Sequence, residues 1–323
     1  MVLKYEKVIL HIKKEVSLGH LKIGAPLPSI NSICKQFLTA RETVVKAYKL
    51  LKEEGLIESI PGKGFFLIRE SVDYKPSIFL MLNSFNPYME VLYNSFKDEL
   101  KDSFNLDVFF HNNNIEVFKS IISEKRGRYQ SFVIKPFLHP GVPDIIGELK
   151  GEYVMLLDRD NYITKEHSYI CQDFTNGFYT GLKSILDKIK SYSRIAYVYS
   201  KKNPHPKDSE FSFVQFSKDF GLNHSIISDL KEKDVVKNRV YIVLSDKELL
   251  TILTVAKVNN WVLGRDLGVI SYNDNPINEF ISGGITAIST NFSQMGIEAA
   301  NCAKNNTVIQ KIIKPSLILR NSI

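Results

Sequence analysis

GHLKIGAPLPSINSICKQFLTARETVVKAYKLLKEEGLIESIPGKGFFL, residues Gly19–Leu67, decides the reading of the first part of this chain. Pro26 and Pro28 hold the backbone extended, and Ser29 is then placed to cap a helix whose inner side is Ile30, Ile33 and Phe37. A break follows at Leu38-Thr39. The next helix repeats apolar residues at Val44, Ala47, Tyr48 and Leu51, the i, i+3, i+4, i+7 spacing of one buried stripe. Arg41, Glu42, Val45, Lys46 and Lys49 fall on its other faces, and Gly55 stands where a helix stop belongs. Leu56–Ile60 and Phe65–Ile68 are two short strands around Pro61-Gly62-Lys63-Gly64, a hairpin with a basic tip. Helix, tight turn, helix and β-wing make a winged helix-turn-helix.

A helix of this kind lies in the DNA major groove with its N-terminal side chains against base edges and phosphates. Arg41 is the candidate for guanine, since its planar fork matches O6 and N7. Thr43 and Lys46 extend the same face, and Ser29 contributes a positioning contact from the preceding helix. Gly62 and Gly64 allow close approach of the wing to the duplex, and Lys63 adds charge there. Charge agrees with this placement. Residues 1–75 hold 13 basic and 8 acidic side chains, so most of the net +7 lies on this segment.

The ordered series L-P-S, R-x-T-V at Arg41–Val44, Ala47-Tyr48, E-E-G-L-I at Glu53–Ile57 and G-x-G-F at Gly62–Phe65 resembles a GntR-type DNA-binding domain. Three positions depart from that pattern. Leu38 replaces the usual glycine of the inter-helix turn. Ala40 replaces the usual capping serine, with Thr39 and Glu42 offering a capping box one residue earlier. Asn31 stands where an arginine is common, and would read adenine or phosphate instead.

The remainder bounds the fold class. A length of 323 residues with 44% hydrophobic and 24% charged side chains suits a globular protein of two or more domains. No apolar run reaches a membrane span, and MVLKYEKVILHIKKEV lacks a secretory signal; it reads as an amphipathic helix with Tyr5, Val8, Ile9, Ile12 and Val16 on one side. A cytoplasmic protein is expected, without membrane association. Cys34, Cys171 and Cys302 are too scattered for zinc or a disulfide framework, and are expected as buried apolar groups.

Residues 71–76 read as a linker between a domain at 1–70 and a body at 77–323. In the body, apolar runs alternate with helical stretches. The runs are Ser77–Leu82, Leu106–Phe110, Ser131–Ile134, Tyr153–Leu157, Ser168–Cys171, Arg194–Tyr199, His224–Ile227, Val240–Leu244 and Leu267–Ser271. Between them lie Tyr88–Lys101, Ile115–Ser123, Thr175–Lys190, Glu210–Phe220 and Lys247–Asn259. This alternation predicts an α/β fold with two parallel sheets in succession.

The body resembles the LacI/GalR effector domain, a two-lobed, periplasmic-binding-protein-like α/β fold. The resemblance rests on Ile78–Leu92, YVMLLDRDN at Tyr153–Asn161, YICQDFTNGFYTG at Tyr169–Gly181, RIAYV at Arg194–Val198, GRDLGVISYNDNP at Gly264–Pro276, Ile285–Ala300 and LILRNS at Leu317–Ser322. The whole is similar to the arabinose-repressor type, a GntR head on a LacI-like body. The resemblance implies a transcription regulator, a repressor by type, that binds a palindromic double-stranded operator as a homodimer. Its effector would be a pentose, hexose or deoxyhexose such as arabinose or fucose, or a sugar phosphate, held between the lobes.

Residues after strand ends suit such a ligand: Asn83, Ser84, Phe85 and Asn86, then Asp158-Arg159, then Asn273-Asp274. Phe85 offers a ring face for stacking. Asn273 replaces the family's aspartate, which changes a pure acceptor into a donor and acceptor. Ser212 occupies the position of an expected arginine, leaving Lys207 or Glu210 to take its part. An alternative reading is a cytoplasmic sugar-binding or sugar-processing enzyme with Asp158 and Asp160 as paired carboxylates. Those two side chains diverge on a strand, and no nucleophile motif, metal spacing, P-loop or pyridoxal-phosphate pattern accompanies them. No enzyme activity, cofactor or metal is therefore expected.

Overall fold

The computed structural model describes residues 4–69, 75–159, 167–200 and 205–323. Most of the expected linker lies outside these residues, as does Asp160. The head comprises α1 (Lys4–Ser17), α2 (Ile30–Phe37), α3 (Arg41–Glu53) and the hairpin β1 (Ile57–Ile60) and β2 (Gly64–Leu67). Its core is assembled from the stripes read in the sequence: Val8, Ile12 and Val16 from α1, Ile33 from α2, and Val44, Ala47, Tyr48 and Leu51 from α3. Tyr5, Ile9, Ile30 and Phe37 pack around its edge, half-buried. The α3 stop is a Schellman turn, with Leu56 N–H bonded to Leu51 O and Gly55 N–H to Lys52 O at φ +70°. Residues 24–27 add a third extended segment to the wing, through Leu27 N–H to Phe65 O and Leu67 N–H to Ala25 O.

The first lobe is built from β3 (Ser77–Leu82), α4 (Pro87–Leu100), β4 (Asn105–Phe110), α5 (Ile115–Lys125), β5 (Ser131–Ile134), α6 (Val142–Gly147), β6 (Tyr153–Asp158) and β7 (Ser168–Gln172). The second follows as α7 (Asn176–Lys183), α8 (Leu186–Lys190), β8 (Arg194–Val198), α9 (Asp208–Asp219), β9 (His224–Ile227), β10 (Arg239–Val243), α10 (Asp246–Val258), β11 (Gly268–Tyr272) and β12 (Thr286–Ser289). The chain then returns to the first lobe with α11 (Phe292–Asn305) and β13 (Gln310–Ile313), and crosses again to place β14 (Ser316–Ile318) in the second. The stretch read as one helix over Thr175–Lys190 is two helices, because Ile185 leaves the helical region at φ −120°, ψ 23°.

The first sheet runs β13-β7-β6-β5-β3-β4, parallel throughout. The second runs β14-β12-β11-β10-β8-β9, with β14 antiparallel at its edge. Helices cover both faces, which explains why the central strands read as nearly continuous apolar runs instead of alternating. Three segments join the lobes: 173–175, 290–291 and 314–315. Among the described residues, no helix is long and apolar enough to cross a membrane. Cys34, Cys171 and Cys302 are free thiols; the last two are buried and Cys34 is half-buried.

Candidate functional site

Two regions concentrate the polar side chains singled out by the sequence. The first is the outer face of α2 and α3. Ser29 caps α2, its hydroxyl accepting from Ser32 N–H at 3.1 Å. Arg41 is the first residue of α3, exposed, and its guanidinium donates to Asn31 Oδ1 at 3.0 Å. The two helices thus share one polar point, and Asn31 orients the Arg41 fork. Tyr48 donates to Pro28 O at 2.6 Å and fixes α3 against the start of α2. The Lys46 ammonium lies over the Tyr5 ring at 4.1 Å from its centre, a cation–π contact that ties it to α1. Thr43 is half-buried beside it, on the flank of α3 nearest α1. Gly62 and Gly64 take φ +74° and +108° at an open wing tip, with Lys63 exposed between them.

The second region is the cleft between the lobes, of about 200 Å³ and open to solvent. It lies at the C-terminal ends of β3, β10 and β11 and is lined by Asn86, Tyr88, Asp246, Tyr272, Asn273 and Asp274, among others. Asn86 also caps α4, accepting from Met89 N–H at 3.0 Å. Asn273 is buried at φ +66°, and its Oδ1 has no hydrogen-bond partner among the described residues. The buried Tyr272 hydroxyl and Asn83 Oδ1 are likewise unpartnered among those residues. Asp274 is held by Arg320 through a two-pronged ion pair at 2.8 and 2.7 Å.

Beside the cleft, Asp158 is buried at φ +72° and bonded on both oxygens, by Lys135 Nζ at 2.8 Å and by Gln172 Nε2. Burial alone would raise this carboxyl, but Lys135 and Arg159 hold it below its ordinary range, so it is ionised. Both Asp158 oxygens are thus engaged by the protein itself. The remaining expected residues are dispersed. Phe85 is half exposed and packs edge-on against Tyr93 and Phe110, outside the cleft lining. Asn83 Nδ2 donates to Ser84 Oγ at 3.2 Å. Lys207 is exposed at the start of α9 and Glu210 lies in its first turn. Their neighbour Ser212 donates to Thr175 O on a crossing segment.

Burial pushes the His205 imidazole down to about 3 and that of His111 down to about 4, with nearby Arg159 and Lys135 adding to the effect. The bonds of His111 demand the neutral ring, because Nδ1 accepts from Asn113 N–H and only Nε2 can donate, to Lys135 O. Below pH 6.5 the unfolded chain binds protons that the folded one refuses. Stability is therefore complete near pH 7 and falls as pH drops toward 4, by up to ~1.4 kcal/mol per unit for each ring. Urea titrations from pH 7 to 4.5 should show this loss, and His111→Gln should flatten it; an unchanged slope in the variant would remove His111 from the account.

Comparison with known proteins adds to this geometry. Residues 4–67 match the family "Bacterial regulatory proteins, gntR family". Residues 4–67 are a GntR-type head. The chain is 36% identical over 63 residues to the Bacillus subtilis HTH-type transcriptional repressor YtrA, covering 20% of this chain and 48% of that protein. It spans less than half the length of the curated relatives it matches. The body has the fold of LacI-type regulators. It superposes on a LacI family transcriptional regulator from Silicibacter pomeroyi with a TM-score of 0.65 at 15% identity, over 76% of this chain and 98% of that one. The trehalose repressor of Escherichia coli gives 0.63 at 12% identity, over 76% and 100%.

The GntR-type head's departures now have a physical form. Leu38 occupies the left-handed region at φ +46°, ψ 51° and is 84% exposed, where a glycine carries no penalty. The capping box expected from Thr39 and Glu42 is not formed. Ala40 is the N-cap of α3, no side chain caps it, and Thr39 Oγ1 is buried without a partner among the described residues. Leu38→Gly is expected to raise head stability by about 1 kcal/mol, since Leu38 buries little and a bulky residue in this region costs about 1–2 kcal/mol. Thermal unfolding of the full chain reads this out; a fall in melting temperature would mean that Leu38 makes a contact outweighing its strain.

Reasoning from sequence missed Lys135, Gln172, His205, Tyr88 and Tyr272. One signal was available: Lys135 directly ends the apolar run Ser131–Ile134, a charge at the C-terminal end of a fully buried strand.

Proposed function

We propose that this protein is a cytoplasmic transcription regulator whose operator affinity is set by a small sugar held between the lobes. It acts as a homodimer on a palindromic operator. The sugar is a pentose, hexose or deoxyhexose, free or phosphorylated. The carrying observation is the pairing of a GntR-type head with a cleft lined by Tyr272 and Asn273, whose Oη and Oδ1 are buried and unpartnered among the described residues. Unmade hydrogen bonds on buried groups cost about 1–3 kcal/mol each, which a polyhydroxylated ligand recovers by supplying the missing donors and acceptors. The aromatic side chains that line this cleft are Tyr88 and Tyr272, in place of Phe85.

In the head, Arg41 reads a base with its orientation fixed by Asn31, Lys46 and Lys63 meet phosphate, and Ser29 positions the helix pair. Fluorescence anisotropy with DNA upstream of its own coding sequence, with and without pentoses, hexoses and deoxyhexoses, tests the reading. Specific binding that shifts with one sugar class is expected. Absence of specific binding in every condition would sink it. Arg41→Ala should relax base discrimination by about 1–3 kcal/mol at one position. Lys46→Ala should weaken binding to all sequences and lower the salt slope by about one.

A further inference from the structure

All three segments that join the lobes meet at one residue. Gln172 is the last residue of β7, directly before the first crossing, and is buried. Its backbone faces Ile313, the last residue of β13, and Asp173 N–H donates to Ile313 O at 3.0 Å, so the first and third crossings are tied by main chain. Its side chain reaches the second crossing, since Thr290 Oγ1 donates to Gln172 Oε1 at 2.8 Å. The amide nitrogen donates in the opposite direction, to Asp158 beside the cleft, and Asp158 is held in turn by Lys135. Four buried polar groups, Lys135, Asp158, Gln172 and Thr290, therefore form one chain from behind the cleft-lining Tyr88 to the crossings.

We propose that Gln172 and Thr290 are positioning residues that couple occupancy of the cleft to the angle between the lobes. Neither lines the interlobe cleft described above. A sugar hydroxyl that competes for Asp158 or Lys135 shifts the Asp158 carboxylate, and the Gln172 amide follows because Asp158 is its acceptor among the described residues. Thr290 then moves with its crossing segment, which leads from β12 of the second lobe into α11, the helix packed on α4 of the first. The mechanism rests on the sugar-sensing reading above.

Thr290→Val is the decisive variant, because it keeps the shape and removes only the hydroxyl that Gln172 accepts. Calorimetry with L-arabinose, D-xylose, L-fucose and D-glucose gives the sugar affinity. Anisotropy gives operator affinity with and without the same sugar. The expected result is a sugar Kd within about threefold of the parent chain, with the sugar-induced ratio of operator affinities reduced at least ~fivefold. A variant that keeps the full ratio overturns the coupling role. A variant that loses sugar affinity by more than about tenfold also overturns it, because Thr290 would then act on binding itself. Should circular dichroism show Thr290→Val unfolded, Gln172→Met replaces it with the same criteria. A parent chain that binds its operator with no response to any of the four sugars overturns the sugar-sensing reading before any variant is made.

Discussion

Asp158→Ala is expected to destabilise the first lobe by about 3–5 kcal/mol, as removal of one member of a buried ion pair does. The reason is specific to its neighbours. Lys135 is 5% exposed, and its ammonium has Asp158 Oδ2 at 2.8 Å and otherwise the Met89 sulfur at 3.8 Å. Without the carboxylate, a cation stays in an apolar setting beside Arg159, or loses its proton at similar cost. The double variant Asp158→Ala with Lys135→Met should recover most of the loss, because apolar replacement of both partners is often neutral. Urea denaturation of the four chains gives the coupling energy. Additive losses would show that the pair contributes little.

Gly264→Ala carries the second large effect, about 2–5 kcal/mol of destabilisation. Its backbone lies at φ +80°, which costs an alanine about 1–2 kcal/mol. A methyl there would also clash with the Asn321 carbonyl oxygen, a backbone atom that cannot rotate away, and overpacking adds about 1–3 kcal/mol. Gly221→Ala separates the two terms. Gly221 sits at φ +61° with nothing within 4 Å of the added carbon, so only the conformational cost remains. Equal melting temperatures for the two variants would mean that the Asn321–Ile323 segment yields without resistance.

Gly264 also shows why parts of this fold were legible in the sequence. It opens the GRDLGVISYNDNP motif, and the structure gives that motif a steric basis: the glycine admits the turn after β14, at the end of LILRNS, close against it. Most central strands were readable because burial on both faces makes them apolar throughout; β12 is the exception, buried between β14 and β11 but bounded by Thr286 and Ser289, so it did not read as an apolar run. The edge strands β13 and β14 were not readable either, since Gln310, Lys311 and Ser316 interrupt their apolar pattern. In the head, nearly every element followed from period and punctuation, whereas the Thr39 capping box failed because Ala40 takes the cap itself.

The site was less legible than the fold. Asn86, Asn273 and Asp274 were placed at the cleft by a simple rule about strand ends. That rule says nothing of partners. Asp158 satisfies it and is bound by Lys135 and Gln172; Asp274 satisfies it and is bound by Arg320, 46 residues away. Gln172 and Thr290 lie inside the Tyr169–Gly181 and Ile285–Ala300 blocks without standing out there, and Lys135 lies in no block; their relation exists only once β5, β6 and β7 share a sheet and the crossing at 290–291 meets the end of β7. Phe85 had the right chemistry, but the α4 and β4 aromatics Tyr93 and Phe110 draw its ring elsewhere.

The double return of the chain has a consequence for synthesis. The first lobe's sheet ends in β13, and its core includes Phe292, Met295, Ala299 and Ala303 of α11, all made after the last parallel strand of the second lobe. On the ribosome, the nascent first lobe therefore waits with β7 as an open edge and with part of its core uncovered, while the whole second lobe emerges. A ribosome stalled between residues 290 and 310 would expose that edge. Translation speed through this interval, more than the stability of the finished protein, then sets how much chain reaches the native state.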